Sequence, residues 1–524
     1  MGTGASLNAL DRAASFARLE NGVFDLAVIG GGITGAGIAR DAALRGLSVA
    51  LLEAQDYASG TSSRSSKMIH GGLRYLAQGD VALVRESASE RQVLRRIAPH
   101  LARITPFVIP TTSLATQAKL RAALWSFEKL GGVPAAEQHE VWSLDELARR
   151  EPRLRRDRLN GAVAYPEFLT DDARLTLANV RSAAAAGAVV LNHARVEALV
   201  EEGGRATGLI ARSTLAGEDW GARVRARVIV NAAGPWVDGV RALAAGEGGP
   251  RLALSKGIHL VLPRALLPVA STLILRAPDK RNVFAVPRGD FTYLGTTDQF
   301  YAGTDYWPEI GRTDIDYLLN AARAAMDMDP IRDRDIVSLW AGIRPLIGEA
   351  GKKATEVSRK DEMWVGPSGV IAIAGGKLSA YRAMAARIVD AVEGRLDRRP
   401  SPCRTADLPL PGGERTLDGD DRLDRLYGTE AGLIRAGGDD AAAEARHAVL
   451  REGAATLEDY WVRRSARAWF DKAAGRDALA PAADAMGLLL GWDQRRRAAE
   501  IHHCLQLDRN SRRALSPGAE GNEP

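Results

Sequence analysis

Residues 24–53 read FDLAVIGGGITGAGIARDAALRGLSVALLE, and this stretch decides the fold. Leu26 to Ile29 form a short apolar run that stops at Gly30, Gly31 and Gly32, and a helical pattern then continues through Ala43. Strand, tight turn and helix follow in that order, with Gly30, Gly32 and Gly35 at the G-x-G-x-x-G positions. Gly30 permits the turn, Gly32 lets a pyrophosphate approach the backbone, and Gly35 lets the helix lie close to the strand. The helix start, at Thr34, then offers N–H groups and a positive dipole end to phosphate. A second apolar run, Leu47 to Leu52, ends in Glu53 about twenty residues beyond the glycines, where a carboxylate serves ribose hydroxyls. An acidic residue there disfavours NADP. The fingerprint itself leaves FAD and NAD open.

The rest of the chain can be read outward from this unit. At 524 residues it has room for two or three domains. The net charge of +5 is spread among interspersed acids and bases, as in ERQVLRRIAPH, so a solvated surface is favoured over nucleic-acid binding. Cys403 and Cys504 lie far apart and outside any metal-ligand spacing, which argues against a disulfide scaffold or a zinc site and for a reducing compartment. The N-terminal residues lack the apolar core of a signal peptide. No apolar run reaches the roughly eighteen residues of a membrane span, so membrane attachment is expected to be peripheral.

After Glu53, a Gly- and Ser-rich segment carrying Ser62, Arg64, Ser66, Lys67, His70, Gly71, Arg74 and Tyr75 is expected to lie against the cofactor as a loop. Asp80 is expected to cap a helix running to Ile97. Further helices are expected over Gln117 to Leu130, Leu144 to Arg150, and Ala173 to Ala186 with Asp171 and Asp172 at its positive end. Arg227 to Val230 reads as a strand entering NAAGPWV, which places Asn231 to Trp236, including Ala233 and Gly234, at a strand's carboxyl end beside the dinucleotide. Lys256 to Asp298 is β-rich and suggests a mixed sheet forming a substrate layer. A strand from Val370 to Ala374 meets Gly375, Gly376, Lys377 and Leu378 at a further helix start. Residues 399–413 read as a linker, and 414–510 as a helical domain.

Together these pieces resemble the FAD-dependent, aerobic, quinone-linked glycerol-3-phosphate dehydrogenases and the related glycerol-phosphate oxidases. The segments GGGITGAGIARDAALRG, SSKMIHGGLRYL, TDDARL, NAAGPWV, KGIHLV, GTTD and GIRPL carry the resemblance in this order. Two positions depart from the family pattern, Ala380 in GGKLSAYR and Arg64 in TSSRSSK. The resemblance implies an α/β fold with a Rossmann-like FAD-binding domain, a mixed-β substrate domain of the D-amino-acid-oxidase type and a C-terminal α-helical domain. On this reading the oxidoreductase region spans 24–398, with FAD-binding parts near 24–100, 171–250 and 335–398 and substrate-binding parts near 101–170 and 251–334.

The resemblance further implies FAD held by Gly30, Gly32, Thr34, Gly35, Glu53, Ser62, Ser66, His70, Gly71, Ala233, Gly234, Gly376, Lys377 and Leu378. It implies glycerol 3-phosphate gripped by Arg74, Tyr75 and Arg344, since a guanidinium binds an oxyanion through two hydrogen bonds. His259 is the candidate general base, with Arg344 and Lys377 as charge-stabilising catalytic groups. No metal or nucleic acid is called for, and a homodimer is compatible. Quinone would be the electron acceptor at the inner, cytoplasmic face of a membrane. Arg463, Arg464, Arg467 and Trp469 are then the expected contacts to lipid.

Overall fold

A computed structural model of the protein describes residues 7–70, 81–246, 248–348, 361–417, 419, 421–438 and 440–515. Gly71, Arg74, Tyr75 and the Asp80 cap lie outside the described residues.

The strand Val23–Ile29, apolar at alternate and then successive positions, occupies the middle of an eight-stranded sheet. It pairs in parallel with Val49–Leu52 on one side and Gly221–Asn231 on the other. Ile371–Ala374 lies parallel beyond the latter. The helices Ile33–Leu44, Asp172–Ala185 and Tyr381–Arg395 cover one face, which is packed by Val28, Leu51, Val180, Val230 and Ile388. A parallel sheet buried this way brings its strand ends and helix starts together at one edge.

The second sheet has ten strands. Leu252–Pro263 pairs antiparallel with Phe291–Gly295 and along ten residues with Ser338–Ile347. Asn282–Arg288, Thr272–Arg276, Arg103–Thr111 and Gly161–Leu169 extend it. The β-rich reading of Lys256 to Asp298 therefore corresponds to real strands. The strands Arg103–Thr111 and Gly161–Leu169 lack a clear alternation, because Pro106, Pro110 and Pro166 interrupt it. The architecture is the one the resemblance implied: a Rossmann-like unit, a mixed sheet and C-terminal helices.

The C-terminal helices are welded to both sheets. Trp340 and Tyr293 of the second sheet share a core with Trp461 and Trp469. Arg174 binds Glu452 through both guanidinium nitrogens, at 2.7 and 2.6 Å. Asp56, which is fully buried, accepts from Arg463 Nε at 2.5 Å and Arg464 Nη2 at 2.8 Å, and Asn192 donates to it at 2.9 Å.

These contacts correct the expected lipid contacts. Arg463, Arg464 and Trp469 are all buried, and Arg467 is half-buried between Glu444 and Asp471. Trp469 packs on Trp340 and Trp307 with ring centroids 5.6 Å away in each case. A run of basic and aromatic residues looks like a surface when read alone. Here the carboxylates that neutralise it come from distant parts of the chain and draw it inside. Among the described residues, no helix is long and apolar enough to cross a membrane.

Candidate functional site

A cavity of about 620 Å³ runs along the edge where the parallel strands end. Gly30, Gly32, Thr34, Glu53, Ala233 and Gly234 line one part of it; Ser62, Ser66, His70, His259, Arg344, Gly376, Lys377 and Leu378 line the rest. Gly35 stands behind the wall, where a Cβ would collide with the Gly30 carbonyl.

At the first turn Gly30 has φ +110° and faces Ala232, whose carbonyl would lie 2.6 Å from any Cβ there. Only glycine supports that geometry. The helix that follows is N-capped by Gly32, which brings no capping side chain. Ser62 Oγ takes the Ile33 N–H at 2.9 Å, and the remaining first-turn N–H groups are left for an anion. Glu53 is buried, with one carboxylate oxygen accepting from Gly31 N–H at 2.7 Å and the other from Gln55 N–H at 2.8 Å. Burial pushes its carboxyl above the ordinary range, and the two backbone donors pull it back. Each oxygen keeps acceptor capacity for a ribose hydroxyl. Glu53 thus holds the turn as well as facing the cavity.

The loop after it is pinned by a pairing that the sequence does not disclose, between Lys67 in the loop and Asp172 at a distant helix start. Asp172 accepts from Lys67 Nζ at 2.5 Å and from the Ser65 hydroxyl at 2.7 Å, while Lys67 also donates to Ser63 O at 3.0 Å. Asp172 looked like a helix-start charge, and its local pattern says nothing about Lys67. Arg64, the departure in that segment, also lines the cavity; its guanidinium lies 4.2 Å from the Trp307 ring centroid and donates to the Tyr306 carbonyl. Burial pushes it down to about 9.

At the far end His259 lies between two neighbouring strands. It faces Trp340 in register and stacks on it at 4.7 Å and 11°. It also faces Gly295, where any Cβ would overlap the imidazole. Ser66 Oγ is 2.9 Å from His259 Nε2. Burial, and then the charges of Arg344 and Lys67, hold His259 well below its ordinary range, so the ring is neutral at physiological pH. Arg344, on the adjacent strand, donates to Asp298 at 3.1 Å, Thr296 Oγ1 at 3.0 Å, Ser255 Oγ at 3.3 Å and Thr297 O at 3.3 Å. Asp298 and Ser255 therefore aim it, and neither was identified as a site residue from sequence. Lys377 is the N-cap of the turn that leads into Tyr381–Arg395.

A glycine turn at φ +110°, a helix start at Gly32 with no capping side chain of its own, a cavity-lining carboxylate and a long cavity ending in imidazole and guanidinium fit an FAD-type dinucleotide, and with the two sheets they define an oxidoreductase fold. Residues 25–382 match the family model described as FAD dependent oxidoreductase, and 434–497 match the C-terminal domain of alpha-glycerophosphate oxidase. The aerobic glycerol-3-phosphate dehydrogenase of Bacillus subtilis (strain 168) is 37% identical, over 97% of this chain and 98% of its own. That of Staphylococcus aureus (strain USA300) is 41% identical, over 76% and 72%. The glycerol-3-phosphate dehydrogenase of Bacillus halodurans, solved complexed with FAD, superposes with a TM-score of 0.81 at 31% identity over 97% of this chain and 99% of that one. The chain belongs to the aerobic glycerol-3-phosphate dehydrogenase family of FAD-dependent oxidoreductases.

Glu53→Ala is expected to weaken FAD binding at least tenfold, because a hydrogen bond to a charged group contributes about 1.5–3 kcal/mol. Titration of the apoprotein by flavin fluorescence measures this, and unchanged affinity would remove Glu53 from the site.

Proposed function

We propose that this protein oxidises sn-glycerol 3-phosphate to dihydroxyacetone phosphate and passes the electrons to a membrane quinone. The observation that carries the reading is the pairing, at one end of the dinucleotide cavity, of a neutral imidazole at His259 with a guanidinium held by Asp298 at Arg344. Family membership supplies the substrate class.

Bound FAD supplies the two-electron acceptor for the hydride leaving the secondary carbinol carbon. Gly30, Gly32, Glu53 and Ser62 would hold its ribose and phosphates, with Ala233, Gly234, Gly376 and Leu378 forming the walls and Ser66, His70 and Lys377 lying nearer the reacting end. Arg344 binds the substrate phosphate and fixes the carbinol near His259. His259 Nε2 takes the hydroxyl proton, with Ser66 Oγ its partner until substrate arrives. Lys377 places positive charge at the end of the cavity where negative charge develops. Arg74 and Tyr75 complete the phosphate grip in this proposal. Quinone as acceptor, attachment to the inner membrane face, and a homodimer belong to the same reading.

The test is anaerobic addition of glycerol 3-phosphate to the holoenzyme, followed by a quinone analogue or oxygen. Bleaching of the flavin, dihydroxyacetone phosphate as product and faster reoxidation by the quinone analogue are expected; no bleaching overturns the reading. Oxygen is kept as a second acceptor because the C-terminal match is to a glycerophosphate oxidase domain.

The pH dependence follows from His259. A base whose pKa is lowered remains deprotonated until the pH falls below that lowered value. The rate of flavin reduction is therefore expected to show no His259-dependent fall near pH 6.5, the ordinary imidazole value. A fall centred at or above 6.5 that vanishes in His259→Asn would contradict the assignment.

A further inference from the structure

His259 Nε2 can take a proton only while its lone pair faces the cavity, which requires the ring's own proton to sit on Nδ1. A base histidine usually has a carboxylate or carbonyl at its second nitrogen to hold that tautomer. Here Nδ1 is buried and has no hydrogen-bond partner among the described residues. The task falls to the other side of the ring, where Ser66 Oγ lies 2.9 Å from Nε2. A serine hydroxyl that donates to Nε2 keeps the lone pair on that nitrogen.

Ser66 can do this only while its backbone stays in place. Ser66 O accepts from Tyr293 OH at 2.8 Å, and Ser65 O accepts at 3.3 Å from Nε1 of Trp340, the ring on which His259 stacks. Lys67 N–H donates to Ser65 Oγ at 2.9 Å, and Thr170 N–H donates to Lys67 O at 2.9 Å. Lys67 itself has φ +53°, a conformation that a side-chain-bearing residue keeps only where its surroundings over-determine it.

These contacts converge on one carboxylate. Asp172 is 0% exposed; one oxygen accepts from Ser65 N–H at 3.0 Å and from Ser65 Oγ at 2.7 Å, the other from Lys67 Nζ at 2.5 Å and Ala173 N–H at 3.0 Å. Capping the helix does not call for this arrangement. Asp171 already caps it by accepting from Arg174 N–H at 3.1 Å, and pairs with Arg288 at 2.8 Å. Lys67 Nζ also lies 5.6 Å from the Trp340 ring centroid. An unpaired charge there would stand behind the ring that carries His259 and oppose its protonation, and Asp172 offsets that charge.

We infer that Asp172 and Lys67 are positioning residues for the oxidation: the pair fixes residues 65–67 so that Ser66 Oγ holds His259 Nε2 ready for the hydroxyl proton of the substrate. The inference rests on the proposed role of His259 as base. The pair takes no part in the transfer itself.

The experiment is anaerobic stopped-flow reduction of the holoenzyme's flavin by glycerol 3-phosphate in H2O and in D2O, with urea unfolding of the same variants. Ser65→Ala removes the hydroxyl that links Asp172 to the Lys67 N–H. Asp172→Leu with Lys67→Met removes both charges, so that neither is left buried alone. Both are expected to slow flavin reduction at least about tenfold, because a small misplacement of a reacting group is costly. Half-saturating substrate and FAD affinity are expected to stay within a few-fold of wild type, and the solvent isotope effect to grow as proton removal becomes limiting. Ser66→Ala is expected to show the same pattern. Asp171→Ala, which loses the cap and the Arg288 pair, is expected to lower stability while leaving the rate and the isotope effect as in wild type. Asp172→Leu alone strands Lys67, so the double variant is expected to recover stability over it without recovering rate. A double variant whose rate recovers along with its stability, wild-type rates in Ser65→Ala and Ser66→Ala, or equal slowing in Asp171→Ala overturns the inference. His259→Asn measured alongside separates the two failures. If it reduces flavin at the wild-type rate, the base itself is misassigned; if it is slow while the serine and double variants are fast, only the positioning role falls.

Discussion

Asp56→Ala is expected to destabilise the protein by about 3–5 kcal/mol, the range for removing one partner of a buried ion pair. Asp56 is 0% exposed and faces two guanidiniums. Without it Arg463 keeps Glu458 and Asp459, at 2.8 and 2.9 Å, but Arg464 is left with the Glu452 carbonyl as its only acceptor among the described residues. A buried guanidinium does not lose its proton to escape this penalty. The damage should also reach the cofactor site. Asp56 lies three residues after Glu53, and His193, which bonds Asp459 at 3.0 Å, ties its backbone N–H to Gln55 O at 2.6 Å. Urea unfolding followed by tryptophan emission and by flavin release should show both transitions moving to lower denaturant together. Adding Arg464→Leu to Asp56→Ala should recover part of the loss, because an apolar side chain has no charge left to neutralise. A shift below about 1 kcal/mol in the single variant would mean that water or the chain relaxes into the gap, as at a surface pair.

This interface marks the limit of what the sequence makes legible. The turn at Gly30, the helix start at Gly32 and the Gly376–Lys377 turn are local events: each depends on a few neighbouring residues and on apolar periodicities of 2 and 3.6. They can be read without knowing what else is nearby. The boundaries of Leu144–Arg150 were equally visible, since Ser143 caps the helix and Pro152 lies just beyond it. Asp56 and Arg464 are 408 residues apart, and nothing in DYWVRRSARAWF shows that carboxylates will enclose its arginines. Asp172 and Asp298 were hidden for the same reason, each sitting in a recognisable segment while its partner lies in another. His259 and Arg344 could be named from their motifs. Their neighbours across the strands, Trp340 and Ser255, depend on a register that no single strand discloses.

Arg344→Ala is expected to reduce kcat/KM for glycerol 3-phosphate at least thirtyfold while leaving FAD affinity within a few-fold of wild type. Truncating one member of a buried, hydrogen-bonded charge pair costs about 2–5 kcal/mol. Here the loss falls on the substrate phosphate and on Asp298, which would face the cavity without its guanidinium. Lysine at the same position keeps the charge but cannot reproduce the several directed N–H groups that now reach Asp298, Thr296, Ser255 and Thr297, so Arg344→Lys should recover only part of the activity. Asp298→Ala separates aiming from binding. It leaves the guanidinium in place with one fewer fixed partner, and should raise KM less than Arg344→Ala does, with FAD binding again intact. Steady-state kinetics with glycerol 3-phosphate and with unphosphorylated glycerol decide the role. If Arg344 grips phosphate, the variant loses its discrimination between the two substrates. If both substrates suffer equally, the residue is acting on the carbinol or on the cofactor, and the phosphate site must be sought elsewhere along the cavity.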